Sequence, residues 1–385
     1  MFWLVLILAL FIAFAYIKLR GGDLSYLDEP PPPAPPHLPS PEHFQVLEKV
    51  KEYGSLGKPT SKKNIMAARE FMDSFGDSPD FECEFRPVND NGIKGEWVLA
   101  PNSDPNRRLL YIHGGAWIAG SPLSHRPITN RLALETGCSI FSVDYRLMPE
   151  YSRRMGIEDC RSAYRWILIN HPQGTGTPAF MAVAGDSAGG NLTLSLINWI
   201  RDQGIRQVDA AVAFSPATDG AMTSPSLRRN LYTDPLLAPG LGWLTMIPKP
   251  LLWWLSWIGL RYMPSDPDIS PVHADLSGLP PILLQVSEQE MLFDDSRRYT
   301  RKATNAGSPV QLQKWQYMVH VWQIFNPQLP EALDALARVT AFLAQNGNTD
   351  GNTDGNTDGN TDGNTDGNTD NSDSHFGIST GAATE

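Results

Sequence analysis

Val183-Ala184-Gly185-Asp186-Ser187-Ala188-Gly189-Gly190-Asn191 is the stretch on which the reading of this chain turns. Before it, residues 180–185 form a short apolar run of strand character; after it, residues 188–201 carry apolar residues at helical spacing. The stretch holds G-x-S-x-G. A strand that turns into a helix this tightly leaves no room for side chains two before and two after the serine. The turn lifts the Ser187 hydroxyl above the sheet edge, at a helix N-terminus that favours negative charge. Ser187 is therefore the candidate nucleophile. The plainer alternative is a glycine-rich turn that only packs a helix on a sheet.

Working outward, the same alternation continues. Residues 109–113, 138–144, 210–214, 282–286 and 310–315 are further apolar, β-branched or aromatic runs that read as buried strands. Residues 127–136, 157–170, 294–306 and 330–344 have helical periodicity. Buried strands alternating with helices predict a largely parallel sheet covered on both faces. Chemistry in such a sheet gathers where strand C-termini open into loops.

Two of those loops carry the partners a serine nucleophile needs. The strand at 109–112 runs into His113-Gly114-Gly115-Ala116-Trp117. Glycines let the backbone come close enough to aim N–H groups at a developing oxyanion. The expected donors are Gly114 and Gly115, with Ala116 the substitute for either, and Ala188 beside the nucleophile. His113 is read as a structural residue of that loop.

The base should be a late histidine, because the chain order in this arrangement is serine, acid, histidine. Past Ser187 stand His273, His320 and His375; only His320 follows a predicted strand directly, in Met318-Val319-His320-Val321-Trp322. The acid should follow the strand at 282–286, within Ser287-Glu288-Gln289-Glu290-Met291-Leu292-Phe293-Asp294-Asp295. Position in the turn favours Glu290. Asp294 and Asp295 read as the first turn of the next helix and stay as alternatives.

With these pieces in order, the chain resembles the bacterial branch of the hormone-sensitive-lipase esterase family, and is also similar to arylacetamide deacetylases. The matching motifs are H-G-G-A-W at 113–117, D-Y-R-L-M-P-E at 144–150, G-D-S-A-G-G at 185–190 and S-P-A-T-D at 215–219. They continue with L-S-G-L-P-P at 276–281, the acid segment at 287–295 and M-V-H-V-W at 318–322. The resemblance covers roughly residues 80–345. It implies an α/β-hydrolase fold, a mostly parallel central sheet with helices on both faces and a helical cap, assigned here to residues 42–78. It also implies hydrolysis of short- to medium-chain acyl esters through an acyl-enzyme, with no metal or organic cofactor.

Two departures stand out. Ala116 replaces the usual third glycine, and its methyl narrows the pocket towards bulky alcohols. Glu290 stands where the family more often has aspartate. An amidase or deacetylase using the same three residues, and a non-catalytic binding protein keeping the fold, are the rival readings.

The ends differ from the body. Residues 2–17 are an unbroken apolar run followed by Lys18 and Arg20. The run is read as a single-pass membrane anchor over residues 1–20. A cleaved signal peptide is the first alternative: Ala13-Phe14-Ala15 mimics a cleavage site, but no basic residue precedes the run. A buried core helix is the second. Positive charge after the run favours a cytoplasmic body. Eight of the twelve residues from Pro30 to Pro41 are proline, and residues 21–41 read as a stiff spacer. Residues 42–346 are then the catalytic domain.

From 347 to 370 the chain repeats Gly-Asn-Thr-Asp six times, and residues 347–385 read as a solvated acidic tail. Its period of four, without a large apolar residue, is unlike the nine-residue calcium-binding repeats. The tail carries eight acids and no base, so most of the net charge of -11 resides there. The near-neutral remainder offers no basic surplus for nucleic acid. Cys83, Cys138 and Cys160 form neither a C-x-x-C pair nor a zinc-site spacing. Residues 236–263 are unusually apolar, with Leu251 and Leu252 beside Trp243, Trp253, Trp254 and Trp257. They read as a packed cap helix, or as a lid or acyl site touching lipid.

Overall fold

The computed structural model describes residues 1–33, 38–55, 58, 60–77 and 80–347. The middle of the proline stretch and the repeat tail beyond Gly347, with His375, lie outside the described residues.

The chain opens with α1 (Phe2–Phe14), which continues without a break through a wider turn over Ala15–Leu19. Together they make an 18-residue helix, Phe2–Leu19, long and apolar enough to cross a membrane. Two helices follow, α2 (Pro41–Ser55) and α3 (Lys62–Asp73). Ser61 opens α3 by accepting the N–H of Asn64, a standard N-cap. Residues 21–30, the first part of the expected linker, are fastened to the body. Leu24 and Leu27 are buried, Asp28 pairs with Arg298 at 2.6 Å, and Glu29 pairs with Arg297. The partners lie some 270 residues away in sequence, so no local reading of residues 21–30 shows these contacts.

The body is an eight-stranded sheet. Its strands are β1 (Glu84–Asp90), β2 (Ile93–Leu99), β3 (Asp104–Ile112), β4 (Cys138–Val143), β5 (Phe180–Asp186), β6 (Ala210–Phe214), β7 (Ile282–Ser287) and β8 (Val310–Trp315). The spatial order is β1-β2-β4-β3-β5-β6-β7-β8. β2 runs antiparallel to both its neighbours, and every other pairing is parallel. All six strands expected from the sequence are present. The β1–β2 hairpin is an addition, turned at Asn91-Gly92, both with positive φ.

Helices α4 (Arg126–Thr136), α5 (Arg153–Ile167), α6 (Ala188–Asp202), α7 (Lys249–Gly259), α8 (Phe293–Asn305) and α9 (Pro330–Gly347) complete the body. Side chains alternate across a strand, so each central strand feeds two cores. Leu110, Ile112, Val183 and Leu284 meet α5, α6 and α8 on one face. Leu109, Tyr111, Ala184 and Leu283 meet α4 and α9 on the other, with Val46 and Val50 of α2. Burial on both faces removes the polar alternation an exposed strand would show. The parallel strands all deliver their C-termini to one rim, and the candidate site lies there.

Candidate active site

At the end of β5 the backbone of Ser187 adopts φ 51°, ψ -113°, a conformation L-residues rarely hold. Neighbouring backbone leaves no alternative. A Cβ at Gly189 would lie 1.9 Å from the carbonyl oxygen of Ile112, and one at Gly185 would lie 2.6 Å from that same oxygen. The turn is pinned further by the Ser187 N–H, which donates to the Phe214 carbonyl of β6 at 2.7 Å.

His320 stands in the loop after β8, 3 % exposed. Its Nε2 lies 2.8 Å from Ser187 Oγ, and its Nδ1 lies 2.5 Å from Glu290 Oε2. The carboxylate partner fixes the tautomer: Nδ1–H donates to Glu290, leaving Nε2 to accept the serine proton. Glu290 is itself held, its Oε1 accepting the Ser287 N–H at 2.6 Å and the Ser215 hydroxyl at 2.8 Å. Burial alone would push the His320 imidazole down. The hydrogen bond to Glu290 and the charges of Glu290 and Asp234 outweigh burial and raise it above its ordinary value.

The structure thus brings Ser187, His320 and Glu290 together across three loops. It places the other candidates elsewhere. Asp294 pairs with Arg229 and Arg297, both at 3.0 Å. Asp295 accepts the N–H groups of Thr218 and Asp219 at 2.7 and 3.0 Å. His273 lies 3.8 Å from Asp219.

The oxyanion loop corrects one expectation. The Gly114 N–H points inward, donating to Asp186 Oδ1 at 3.0 Å, and so is engaged. A Cβ on Gly114 would sit 2.1 Å from the other Asp186 oxygen, so this residue serves close approach rather than donation. The N–H groups of Gly115, Ala116 and Ala188 make no hydrogen bond to the described residues. Ala116 holds φ 53° and Trp117 φ 61°, a left-handed turn where glycine would be unstrained.

Asp186 carries more of the site than its place beside Ser187 suggests. Besides Gly114, its carboxylate accepts the Tyr111 hydroxyl at 2.8 Å and meets His125 Nε2 at 3.2 Å. Burial would raise its carboxyl, but the His125 charge and the hydrogen bonds from His125 and Tyr111 prevail, and the net shift is downward. His113 is stacked on Tyr145 at 4.3 Å, and burial, reinforced by the His125 charge, depresses its imidazole to about 3. It is a neutral spacer under the loop. Arg69 straps α3 to this loop, its Nε donating to the Ile118 carbonyl at 2.8 Å.

Asp186, Ser215 and His125 are the supporting residues that sequence reasoning left without a role. Signals existed for two of them: Asp186 lies inside G-D-S-A-G-G, and Ser215 opens S-P-A-T-D. A further buried carboxylate, Asp234, accepts the Met291 N–H at 2.7 Å and lies within charge range of Glu290. Burial, supplemented by the Glu290 charge and opposed by that of His320, pushes it up to about 6. It also borders an open cavity of about 510 Å³ lined by Leu231, Pro235, Trp243 and Met246. Among the described residues, no group of three or more His, Cys, Asp or Glu side chains is placed to hold a metal.

A half-buried serine backed by a buried His-Glu pair, beside three free N–H groups, is suited to acyl transfer. Known proteins agree. A family model described as the alpha/beta hydrolase fold matches residues 109–324. The chain is 36 % identical over 256 residues to an acetyl-hydrolase from Streptomyces hygroscopicus, covering 64 % of this chain and 78 % of that protein. It is 34 % identical over 236 residues to a carboxylesterase from Mycobacterium tuberculosis, covering 61 % and 72 % respectively. Among solved structures, an esterase of the bacterial hormone-sensitive lipase family superposes with a TM-score of 0.69 at 34 % identity. That match covers 80 % of this chain and 99 % of the esterase.

Proposed function

Since the chain belongs to the hormone-sensitive-lipase esterases of the α/β-hydrolase fold and is a serine carboxylic-ester hydrolase, we propose that Ser187, His320 and Glu290 are its nucleophile, base and acid. The observation that carries this reading is the continuous pair of contacts, Ser187 Oγ to His320 Nε2 at 2.8 Å and His320 Nδ1 to Glu290 at 2.5 Å.

In the first step His320 Nε2 accepts the hydroxyl proton while Ser187 Oγ attacks the ester carbonyl carbon. Negative charge passes to the carbonyl oxygen. The N–H groups of Gly115, Ala116 and Ala188 meet it, each such donor typically contributing ~2.7–4 kcal/mol to the transition state. Glu290 stabilises the imidazolium that has formed. The C–O bond then breaks, and the departing alkoxide takes the proton from Nε2. Water repeats the sequence on the acyl-enzyme, releasing the acid and restoring Ser187. The substrates are small-molecule esters of short to medium acyl length. Residues 42–346 form the catalytic domain, with α2 and α3 as its cap.

Helix Phe2–Leu19 is the membrane anchor, crossing once. Lys18 and Arg20 at its C-terminal end favour a cytoplasmic catalytic domain.

Stopped-flow hydrolysis of p-nitrophenyl butyrate tests the chemistry. A burst of nitrophenol near one equivalent per enzyme, abolished in a folded Ser187→Ala protein, is expected. Steady esterase turnover by Ser187→Ala would overturn the assignment. Faster turnover of an anilide than of the ester with the same acyl group would move the substrate class to amides.

A further inference from the structure

Helix α7 turns an apolar side outward. Leu251, Leu255 and Ile258 are 46, 51 and 66 % exposed and share one face at i, i+4 and i+7, while Leu252, Trp253 and Ser256 are buried. On an ordinary surface helix the outer stripe is polar. Met246, Leu260 and Met263 are likewise exposed beside it. From Leu236 to Met263 the sequence contains no acidic residue; its charges are Lys249 and Arg261. A contiguous exposed apolar patch of this kind marks a contact with another phase or molecule.

What covers the patch follows from the helix packed along it. Phe11 stacks on Trp254 at 4.3 Å, and Phe14 stacks on Trp254 and Trp257 at 5.1 and 5.6 Å. Trp254 Nε1 donates to the Phe11 carbonyl at 3.1 Å, and Tyr16 meets the edge of Trp253 at 5.2 Å. Ala15 and Leu19 are completely buried against the body. The second half of the N-terminal helix therefore runs alongside α7.

Length then decides the geometry. At 1.5 Å per residue the 18 residues of Phe2–Leu19 reach about 27 Å, barely the ~30 Å of a hydrocarbon core. The part that projects beyond the body, residues 2–10, reaches only about 14 Å by the same rise. A helix so short cannot cross unless its docked half is immersed too, and that half carries α7 with it.

We propose that α7 is a second membrane element: its outer face, Leu251, Leu255 and Ile258 with Met246, Leu260 and Met263, lies in the lipid bilayer beside the N-terminal helix. The inference rests on the anchor reading of Phe2–Leu19. Trp254 and Trp257 then sit among lipid and helix as interfacial aromatics do, and the exposed Arg261 follows the helix where its long stem reaches the headgroups. The catalytic domain rests on the bilayer instead of standing off from it.

Single cysteines bearing an NBD fluorophore test this in the full chain, reconstituted in phosphatidylcholine vesicles with a minority of phosphatidylglycerol. The natural cysteines are buried and free. Labels are placed by Ile7→Cys, Leu255→Cys and Ile258→Cys, with Arg338→Cys on α9 as the exposed reference, and retained esterase activity certifies each fold. The expected result is blue-shifted emission, quenching by doxyl-lipids and several-fold protection from iodide at 7, 255 and 258, but not at 338. Protection at 7 with 255 and 258 behaving like 338 would overturn the immersion of α7 and leave the anchor standing. Iodide access at 7 as well would overturn both.

Discussion

The N–H of Gly114 donates to Oδ1 of Asp186 at 3.0 Å, so the residue preceding Ser187 holds the Gly114–Trp117 loop by its backbone. One carboxylate thereby sets the distance between the turn bearing Ser187 and the N–H groups facing it. Replacing it leaves Gly114, Tyr111 and His125 without their shared acceptor inside the protein. Asp186→Ala is expected to lower unfolding stability by about 3 kcal/mol, the range for breaking a buried charged network, in urea titrations at neutral pH. The folded carboxyl is held below its ordinary value. Its contribution is therefore present above that value and disappears as pH falls through the folded one.

The pH profile should bear the mark of Glu290. In the proposed mechanism hydrolysis requires His320 neutral, and His320 is raised above the ordinary imidazole value of 6.5. Activity should therefore fall on the acid side with a midpoint above 6.5. Glu290→Gln removes the largest raising influence, so the midpoint should move down. Because the orienting carboxylate is lost too, kcat/KM at the plateau should drop roughly 10³–10⁴-fold. A plateau loss with an unmoved midpoint would mean that Glu290 does not set the His320 proton.

Ser215 holds Glu290 through its hydroxyl at 2.8 Å, sharing Oε1 with the Ser287 N–H. Ser215→Ala leaves one of two donors. A stability loss of about 1 kcal/mol is expected, together with a reduced kcat at nearly unchanged KM, since acyl and alcohol contacts are untouched.

Ala116 occupies a left-handed turn at φ 53° with its methyl beside a donor N–H. Ala116→Gly relieves about 1 kcal/mol of backbone strain and returns a similar amount as chain entropy, so thermal stability should barely change. The vacated space should show instead as a rise in kcat/KM for tertiary over primary alcohol esters. An unchanged ratio would mean the methyl does not border the alcohol side.

Much of this arrangement was legible in the chain itself. Most of the strands from 109 to 287 stood out because both their faces are buried, which makes them continuous apolar runs, whereas Val310–Trp315, expected to be buried, is the partly exposed edge strand with Gln311, Gln313 and Lys314 in it. The hairpin Glu84–Leu99 was missed although Asn91-Gly92 is a strong turn signal. Its strands lie at the sheet edge, and Arg86, Lys94 and Glu96 break up the apolar pattern. Ser187 was singled out by its strand–turn–helix context, and His320 by chain order together with its place in the loop after a strand. The engagement of Gly114 was not legible. It depends on which way the Asp186 carboxylate turns, a fact of tertiary packing. The docking of residues 20–30 likewise depends on Arg297 and Arg298 from the far end of the chain.

The relay from Glu290 through His320 to Ser187 is the claim on which the rest depends, and covalent labelling reads it most directly. Full-length protein treated with diethyl p-nitrophenyl phosphate and followed by intact mass and peptide mapping should gain one diethylphosphoryl group, on Ser187. Labelling should stop in Ser187→Ala and slow by orders of magnitude in His320→Ala. Stoichiometric modification at another residue, or an undiminished rate without the imidazole, would contradict the account.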